Sequence, residues 1–282
     1  MSGDWRSLSR AELDWAYDQR QHAPNMQTVL QALAAAGAQV QARQTTWQRL
    51  AYGPHAVEHL DWYRCGVPEA PVLLFIHGGA WRSGQARDYA FFVDWALAAG
   101  VDVVIPDFHA VTEVDGDLHV LYRQLQTAWR CVGDHLGPRP RPVHLAGHSS
   151  GAHLAACLGV DPLVAHRLHS LTLCSGLYEL EPVSLSARSQ YVRFTDDTLA
   201  ALSPLRHLTH LHAPVTVLCG SHESPEFIRQ AQALHSALQA RRHDTRWVCG
   251  EGLNHFEILA SLQSPQGVLA QSLQAHWHTA AA

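Results

Sequence analysis

The sequence predicts an α/β fold, a mostly parallel central sheet with helices on both faces, carrying a small cap. Short β-rich apolar runs alternate with longer stretches of helical period, the order expected of strands joined by crossover helices. Each apolar run ends in a glycine, a proline or a polar turn. Two segments, residues 1–50 and 177–208, stand outside the alternation and supply the cap. The 282 residues are 47% hydrophobic and 16% charged. A charged fraction below the usual ~25% excludes disorder and leaves enough apolar sequence for a substantial core. No internal repeat or low-complexity linker divides the chain, so residues 51–282 read as one domain preceded by a helical segment.

The helical segment at residues 1–50 reads as two helices, Ala11 to Arg20 and Met26 to Arg43, the second rich in Ala, Gln and Leu. The first strand is VLLFI, Val72 to Ile76. Next come DVVIP (Asp102 to Pro106), VHLA (Val143 to Ala146), LHSLTLC (Leu168 to Cys174), VTVLC (Val215 to Cys219) and TRWVC (Thr245 to Cys249). Helices are expected over Tyr89 to Ala99, Leu118 to Leu136, Gly151 to Leu158, Glu226 to Ala240 and Pro265 to Trp277. The segment from Leu177 to Leu208 separates two strands, and a connection that long is a lid or has helices of its own.

Composition removes several chemistries. The 20 basic residues are all arginine, because the chain has no lysine. Schiff-base and pyridoxal-phosphate catalysis, a Walker P-loop and a lysine general base are therefore excluded. The net charge is −5 and no basic run occurs, so nucleic-acid binding has no electrostatic footprint. Met1 to Arg10 is polar and no uninterrupted apolar stretch approaches 18 residues, so neither a signal peptide nor a membrane span is visible, and the cytoplasm is the expected compartment. The six cysteines, at 65, 131, 157, 174, 219 and 249, form no C-x-x-C and read as free thiols. The 21 histidines include close pairs, His55/His59, His166/His169, His210/His212 and His276/His278. No H-E-x-x-H is present and no cysteine joins a pair, so no metal and no other cofactor is expected. A homodimer is left open.

The sharpest motif is Gly147-His148-Ser149-Ser150-Gly151, directly after VHLA and directly before a helix-period run. In that context G-x-S-x-G is a nucleophile elbow: a tight strand-to-helix turn projects the central serine, and glycines relieve the close contacts. Ser149 is the expected nucleophile. Ser150 is the wrong serine for the turn, but its N–H at the helix N-terminus suits an oxyanion. Upstream, His77-Gly78-Gly79-Ala80-Trp81 follows the VLLFI strand. Glycines without side chains let backbone N–H groups approach a developing oxyanion, so Gly78 and Gly79 are expected to complete the hole with Ser150, while His77 orients the loop.

A serine nucleophile needs a base, and the base an orienting acid, each on a loop after a strand in the order Ser, acid, His. Glu223 follows VTVLC within Gly220-Ser221-His222-Glu223, and His255 follows TRWVC within Gly250-Glu251-Gly252-Leu253-Asn254-His255. Position relative to the strands selects His255 among 21 histidines. The rivals to Glu223 are Glu226, which opens the next helix, and Asp244, which precedes a strand. Trp81, Tyr178, Tyr191 and Phe194 are candidates for an apolar substrate pocket, or are packing residues.

Together HGGAW, GHSSGAH, SGLYEL, SPLRHL, SHESPEF and GLNHF make the chain resemble an α/β-hydrolase of the kynurenine formamidase (arylformamidase) group, near the hormone-sensitive-lipase-like esterases. The resemblance spans about residues 50–277. It implies Ser149, Glu223 and His255 as a triad, with the N–H groups of Gly78, Gly79 and Ser150 as oxyanion hole. It implies hydrolysis of a small-molecule carboxylic ester or aryl formamide through an acyl-enzyme, without a cofactor. The chain departs from the group at Asp107 to Thr112, where a tyrosine-arginine-leucine stretch is usual, and in having Glu223 where aspartate is commoner. A substrate carboxylate would have to be met by arginine, with Arg82, Arg188 and Arg193 as candidates. A catalytically silent binding protein on the same fold is the competing class.

Overall fold

The structure is a computed structural model that describes residues 4–137 and 141–277; Met1 to Gly3 and His278 lie outside it. Eight strands form one sheet in the order β1-β2-β4-β3-β5-β6-β7-β8. They are β1 Trp47–Ala51, β2 His59–Tyr63, β3 Val72–Ile76, β4 Asp102–Pro106, β5 Val143–His148, β6 Ser170–Cys174, β7 Val215–Gly220 and β8 Thr245–Gly250. The six from β3 to β8 are parallel. β1 and β2 form an antiparallel flap, and β2 pairs antiparallel with β4.

The parallel strands match the apolar runs because both their faces are covered. β3 is buried at all five positions: Val72, Leu74 and Ile76 enter the core on one face, Leu73 and Phe75 the core on the other. A strand sandwiched this way reads as continuous hydrophobic sequence. The first core includes the inward stripe of the helix Leu118–His135, namely Leu118, Leu121, Leu125, Ala128 and Val132, a spacing that lines one helical face. Asp117 caps that helix by accepting from His119 N–H at 2.9 Å. The second core takes Leu33 and Val40 from the helix Met26–Arg43 and Leu269 and Leu273 from Val268–Gln274.

β1 and β2 correct the expectation that the chain is helical up to about residue 50 and enters the sheet only at Val72. β1 carries no apolar run: it is an edge strand of half-buried and exposed residues. β2 is buried, but its central Asp61 is fully enclosed and held by Arg49 through Nε at 2.8 Å and Nη2 at 2.9 Å. A buried carboxylate, paired with an exposed arginine on the edge strand, disguises a core strand as polar sequence. Residues 177–208 contain the short helices Glu181–Ser184 and Asp196–Ala201 with 3-10 turns at Ala187–Gln190 and Pro204–Arg206. Among the described residues no helix is long and apolar enough to cross a membrane.

Sheet order positions the site. β4 lies on one side of β3 and β5 on the other, so the connections leave in opposite directions and open a crevice beyond the carboxyl ends of β3 and β5. His77-Gly78-Gly79 leaves β3 there and Ser149 leaves β5.

Candidate active site

Ser149 sits between β5 and the helix Ser150–Gly159 with φ 57° and ψ −125°, a strained conformation for a residue with a side chain. Its N–H donates to Cys174 O at 2.9 Å. The turn is wedged against the end of β3: a Cβ on Gly151 would stand 2.2 Å from Ile76 O and 2.4 Å from His77 O. Only glycine allows the elbow that close to the neighbouring strand.

His255 opens the helix His255–Ala260, with Asn254 as its cap. His255 Nε2 lies 2.9 Å from Ser149 Oγ, and Nδ1 lies 2.7 Å from Glu223 Oε2. A carboxylate only accepts, so Nδ1 carries the proton and Nε2 is free to accept from the serine hydroxyl. Glu223, on the loop after β7, is 5% exposed, and a buried carboxylate needs its oxygens satisfied. Oε1 accepts from Ser175 Oγ at 2.5 Å and from Gly220 N–H at 2.8 Å. Oε2 accepts from His255 and from Gln19 Nε2 at 3.4 Å.

Ser175 and Gln19 are partners that sequence reasoning missed. Ser175 directly follows β6 with φ 57°, so it is turned toward β7, and its N–H donates to Leu218 O at 2.8 Å. The available signal was its place in SGLYEL, directly after a strand. Gln19 carried no local signal, because its partner is 204 residues away. The segment around it is stitched to both catalytic-side loops. Tyr17 Oη donates to Glu226 Oε2 at 2.6 Å, Asn25 Nδ2 to Glu257 Oε1 at 2.7 Å, and Asn254 Nδ2 to Asn25 Oδ1 at 2.8 Å. Glu226, the rival acid, is occupied by Tyr17 and by Arg229 at 2.6 Å. Asp244 contributes its carbonyl to Val215 N–H at the start of β7, the far end of the strand from the acid loop.

The glycine loop is a second strained element. Gly79 has φ 123°, and Ala80 and Trp81 follow at 55° and 62°. A Cβ on Gly79 would lie 1.8 Å from Ser83 O. Gly78 packs on the elbow: its Cβ would meet Ser149 Cβ at 3.3 Å. Gly79 lines the cavity with Ser149 and His255, and Ser150, as first residue of its helix, presents an N–H with no partner in the preceding turn. His77 Nδ1 is 2.9 Å from Gly78 O, and its ring stacks on Phe108 at 4.4 Å. Asp107 stands where the resemblance departs. It accepts from Ala86 N–H at 2.6 Å and lies 2.9 Å from His59 Nε2 and 3.4 Å from His77 Nε2. Burial alone would raise its carboxyl, but His77, the Ala86 N–H and His59 outweigh that and hold it below the usual range.

Two histidines next to the elbow are kept neutral. His148 donates from Nε2 to His255 O at 2.9 Å, and burial, then the neighbouring His255, push it well below the ordinary value. His153 accepts the Trp81 indole N–H on Nδ1 at 3.1 Å and donates from Nε2 to Leu202 O at 2.8 Å. Burial lowers it to about 4.

The cavity over Ser149 has a volume of about 1020 Å³. One wall is the N-terminal segment, with Trp15 and Gln19, and another the insertion, with Arg188 and Tyr191. Three pocket expectations are corrected, the first being Phe194, which packs against the core and does not line the cavity. Trp81, 1% exposed, turns its ring beneath the glycine loop toward His153. Tyr178 is fully buried, and its hydroxyl accepts from Gly176 N–H at 3.2 Å. Neither lines the cavity. Of the three arginines, Arg82 and Arg188 line it, whereas Arg193 sits away from it, 3.6 Å from Asp117.

Residues 71–270 match the model of the alpha/beta hydrolase fold family. This chain belongs to that family. It is 25% identical over 287 residues to the kynurenine formamidase of Danio rerio, covering 96% of this chain and 97% of that one. It is 28% identical over 221 residues to the esterase LipC of Mycobacterium tuberculosis, covering 68% of this chain and 55% of that one. A solved structure from Silicibacter sp. TM1040 superposes with a TM-score of 0.83 at 25% identity, over 93% of this chain and 99% of that one.

Proposed function

We propose that this member of the alpha/beta hydrolase fold family is a serine hydrolase that cleaves small-acyl carboxylic esters or aryl formamides through an acyl-enzyme. The observation that carries the reading is the unbroken chain from Ser149 Oγ through His255 to the buried Glu223, opening on the cavity. Ser149 Oγ attacks the substrate carbonyl as His255 Nε2 takes its proton, and Glu223 holds the imidazolium. The N–H groups of Gly78, Gly79 and Ser150 receive the oxyanion. His255 then returns the proton to the departing alcohol or amine, and water, activated by the same imidazole, releases the acid. No step uses a cofactor. The volume exceeds what a small acyl group fills and suits an aromatic leaving group.

A second reading, hydrolysis of N-formylkynurenine, draws on the Danio rerio relative, which is similar over nearly all of both chains. Turnover of N-formylkynurenine set against p-nitrophenyl esters of increasing acyl length decides between the two. Formamide turnover far below ester turnover rejects the formamidase reading. In either case Ser149→Ala should fold and lose at least about a thousandfold in kcat, and retained turnover rejects the nucleophile.

A further inference from the structure

The peptide that joins Gly78 to Gly79 is gripped from behind by a buried chain of charges. His77 Nδ1 lies 2.9 Å from Gly78 O. Gly84 seals that contact, since a Cβ there would stand 2.7 Å from Gly78 O and 2.8 Å from His77 Nδ1. Gly78 O and the Gly79 N–H belong to one planar trans peptide and point in opposite directions. A ring that holds the carbonyl therefore fixes where the Gly79 N–H points, and a donor on the carbonyl polarises that N–H into a stronger donor.

The other side of the His77 ring meets Asp107, with Nε2 3.4 Å from Oδ1. Asp107 leads on to a second histidine: its Oδ2 is 2.9 Å from Nε2 of His59, the first residue of β2. His59 Nδ1 lies 3.0 Å from Ala56 O. Each ring thus has an oxygen that can only accept beside both of its nitrogens. A neutral imidazole has one N–H and would turn a lone pair on one of those oxygens, whereas an imidazolium has a donor for each. Neither Nε2 is aligned for a hydrogen bond, so charge is what holds these two contacts. The other titratable groups facing Asp107 are Arg49, committed to Asp61, together with Tyr52, Tyr63 and Asp88. Nearby, Glu58 accepts from Gln124 and from the His55 N–H, and the His55 ring packs on His109.

We propose that Asp107 and His59 are positioning residues of the oxyanion hole: they hold His77 as a doubly donating imidazolium, which turns the Gly79 N–H toward the oxyanion and strengthens it. None of the three side chains lines the cavity, so they act on the transition state without touching substrate. This rests on the serine-hydrolase reading above.

The test uses p-nitrophenyl acetate and an aryl trifluoromethyl ketone, to which Ser149 Oγ adds to give a tetrahedral alkoxide in the hole. Asp107→Asn removes the charge and keeps an acceptor for the Ala86 N–H. Its kcat should fall about tenfold to a hundredfold, a large part of what a whole oxyanion donor supplies, with KM nearly constant. The ketone's Ki should rise by the factor that kcat/KM loses. His59→Gln, one step further from the loop, should act in the same way by about threefold to tenfold. Both losses relative to wild type should shrink as pH is raised, because the wild-type imidazoliums then give up their protons, while titration of His255 is common to all and cancels in the ratio. His119→Gln, which cuts a similar pair 3.1 Å from Asp197 in the insertion, should leave kcat and Ki unchanged. A purely structural role would lower the yield of folded protein without tying Ki to kcat/KM or to pH. Unchanged kcat and Ki in both variants, or a loss that is constant across pH, overturns the proposal and leaves the hydrolase reading in place. A wild type that neither turns over the ester nor binds the ketone overturns both.

Discussion

The buried histidines make this fold labile to acid, and His153 sets the scale. It is completely enclosed between Trp81 and Leu202, and its pKa falls from 6.5 to about 4 on folding. A depressed histidine binds fewer protons in the folded state than in the unfolded chain. Its contribution is therefore intact above pH 6.5 and is lost as pH falls from there toward 4. At about 1.4 kcal/mol per pH unit, the interval costs about 3 kcal/mol from this one side chain. His144, lowered to about 3 by burial and then by His169 and His276, and His148, beside His255, act in the same direction. Set against a typical stability of 5–15 kcal/mol, three such groups should unfold the chain before pH 4. Urea titrations at half-unit steps from pH 7.5 to 4.5 measure this, and stability should begin to fall near pH 6.5. His153→Gln keeps an acceptor for Trp81 and a donor for Leu202, and should remove roughly a third of the slope. A stability curve that is flat from pH 7 to 5, or a slope untouched by His153→Gln, refutes the reasoning.

Two further outcomes follow from the site. Ser175→Ala removes the shortest donor to Glu223 while leaving Gly220, Gln19 and His255 in place; a bond to a buried carboxylate is worth about 1.5–3 kcal/mol, so kcat should fall by about tenfold to a hundredfold with KM nearly constant in steady-state kinetics. Gly151→Ala drives a methyl into Ile76 O and His77 O, so the elbow must move away from β3; thermal unfolding should shift down by several degrees, and turnover should be lost together with the stability.

Sequence and structure agree most closely where a side chain's role depends on neighbours along the chain. β3 and β4 are legible to the residue because burial on both faces forces continuous apolar sequence. Ser149, His255 and Glu223 each stand just after a strand, and the parallel sheet brings their loops to one edge, so strand order alone predicts that they meet. β2 is the opposite case. Its core position depends on Arg49 neutralising Asp61 across β1, a pairing invisible until the two strands are set side by side. Gln19 was equally hidden, since what it touches lies at the other end of the chain. Tyr178 shows a different limit: an aromatic residue in an insertion has the same sequence whether it faces a cavity or fills the core, and here it is fully buried. His153 and His148, by contrast, could be seen in the sequence but not distinguished from the other histidines, because burial and not residue type is what lowers them.

In the proposed function Ser149 is a nucleophile activated by His255. Incubation with a p-nitrophenyl alkylphosphonate, followed by intact-mass measurement and peptide mapping, tests it most directly. One phosphonyl group per chain, on Ser149 and absent from both Ser149→Ala and His255→Ala, is the predicted result. No adduct, or an adduct on Ser150 with Ser149 unmodified, contradicts the account.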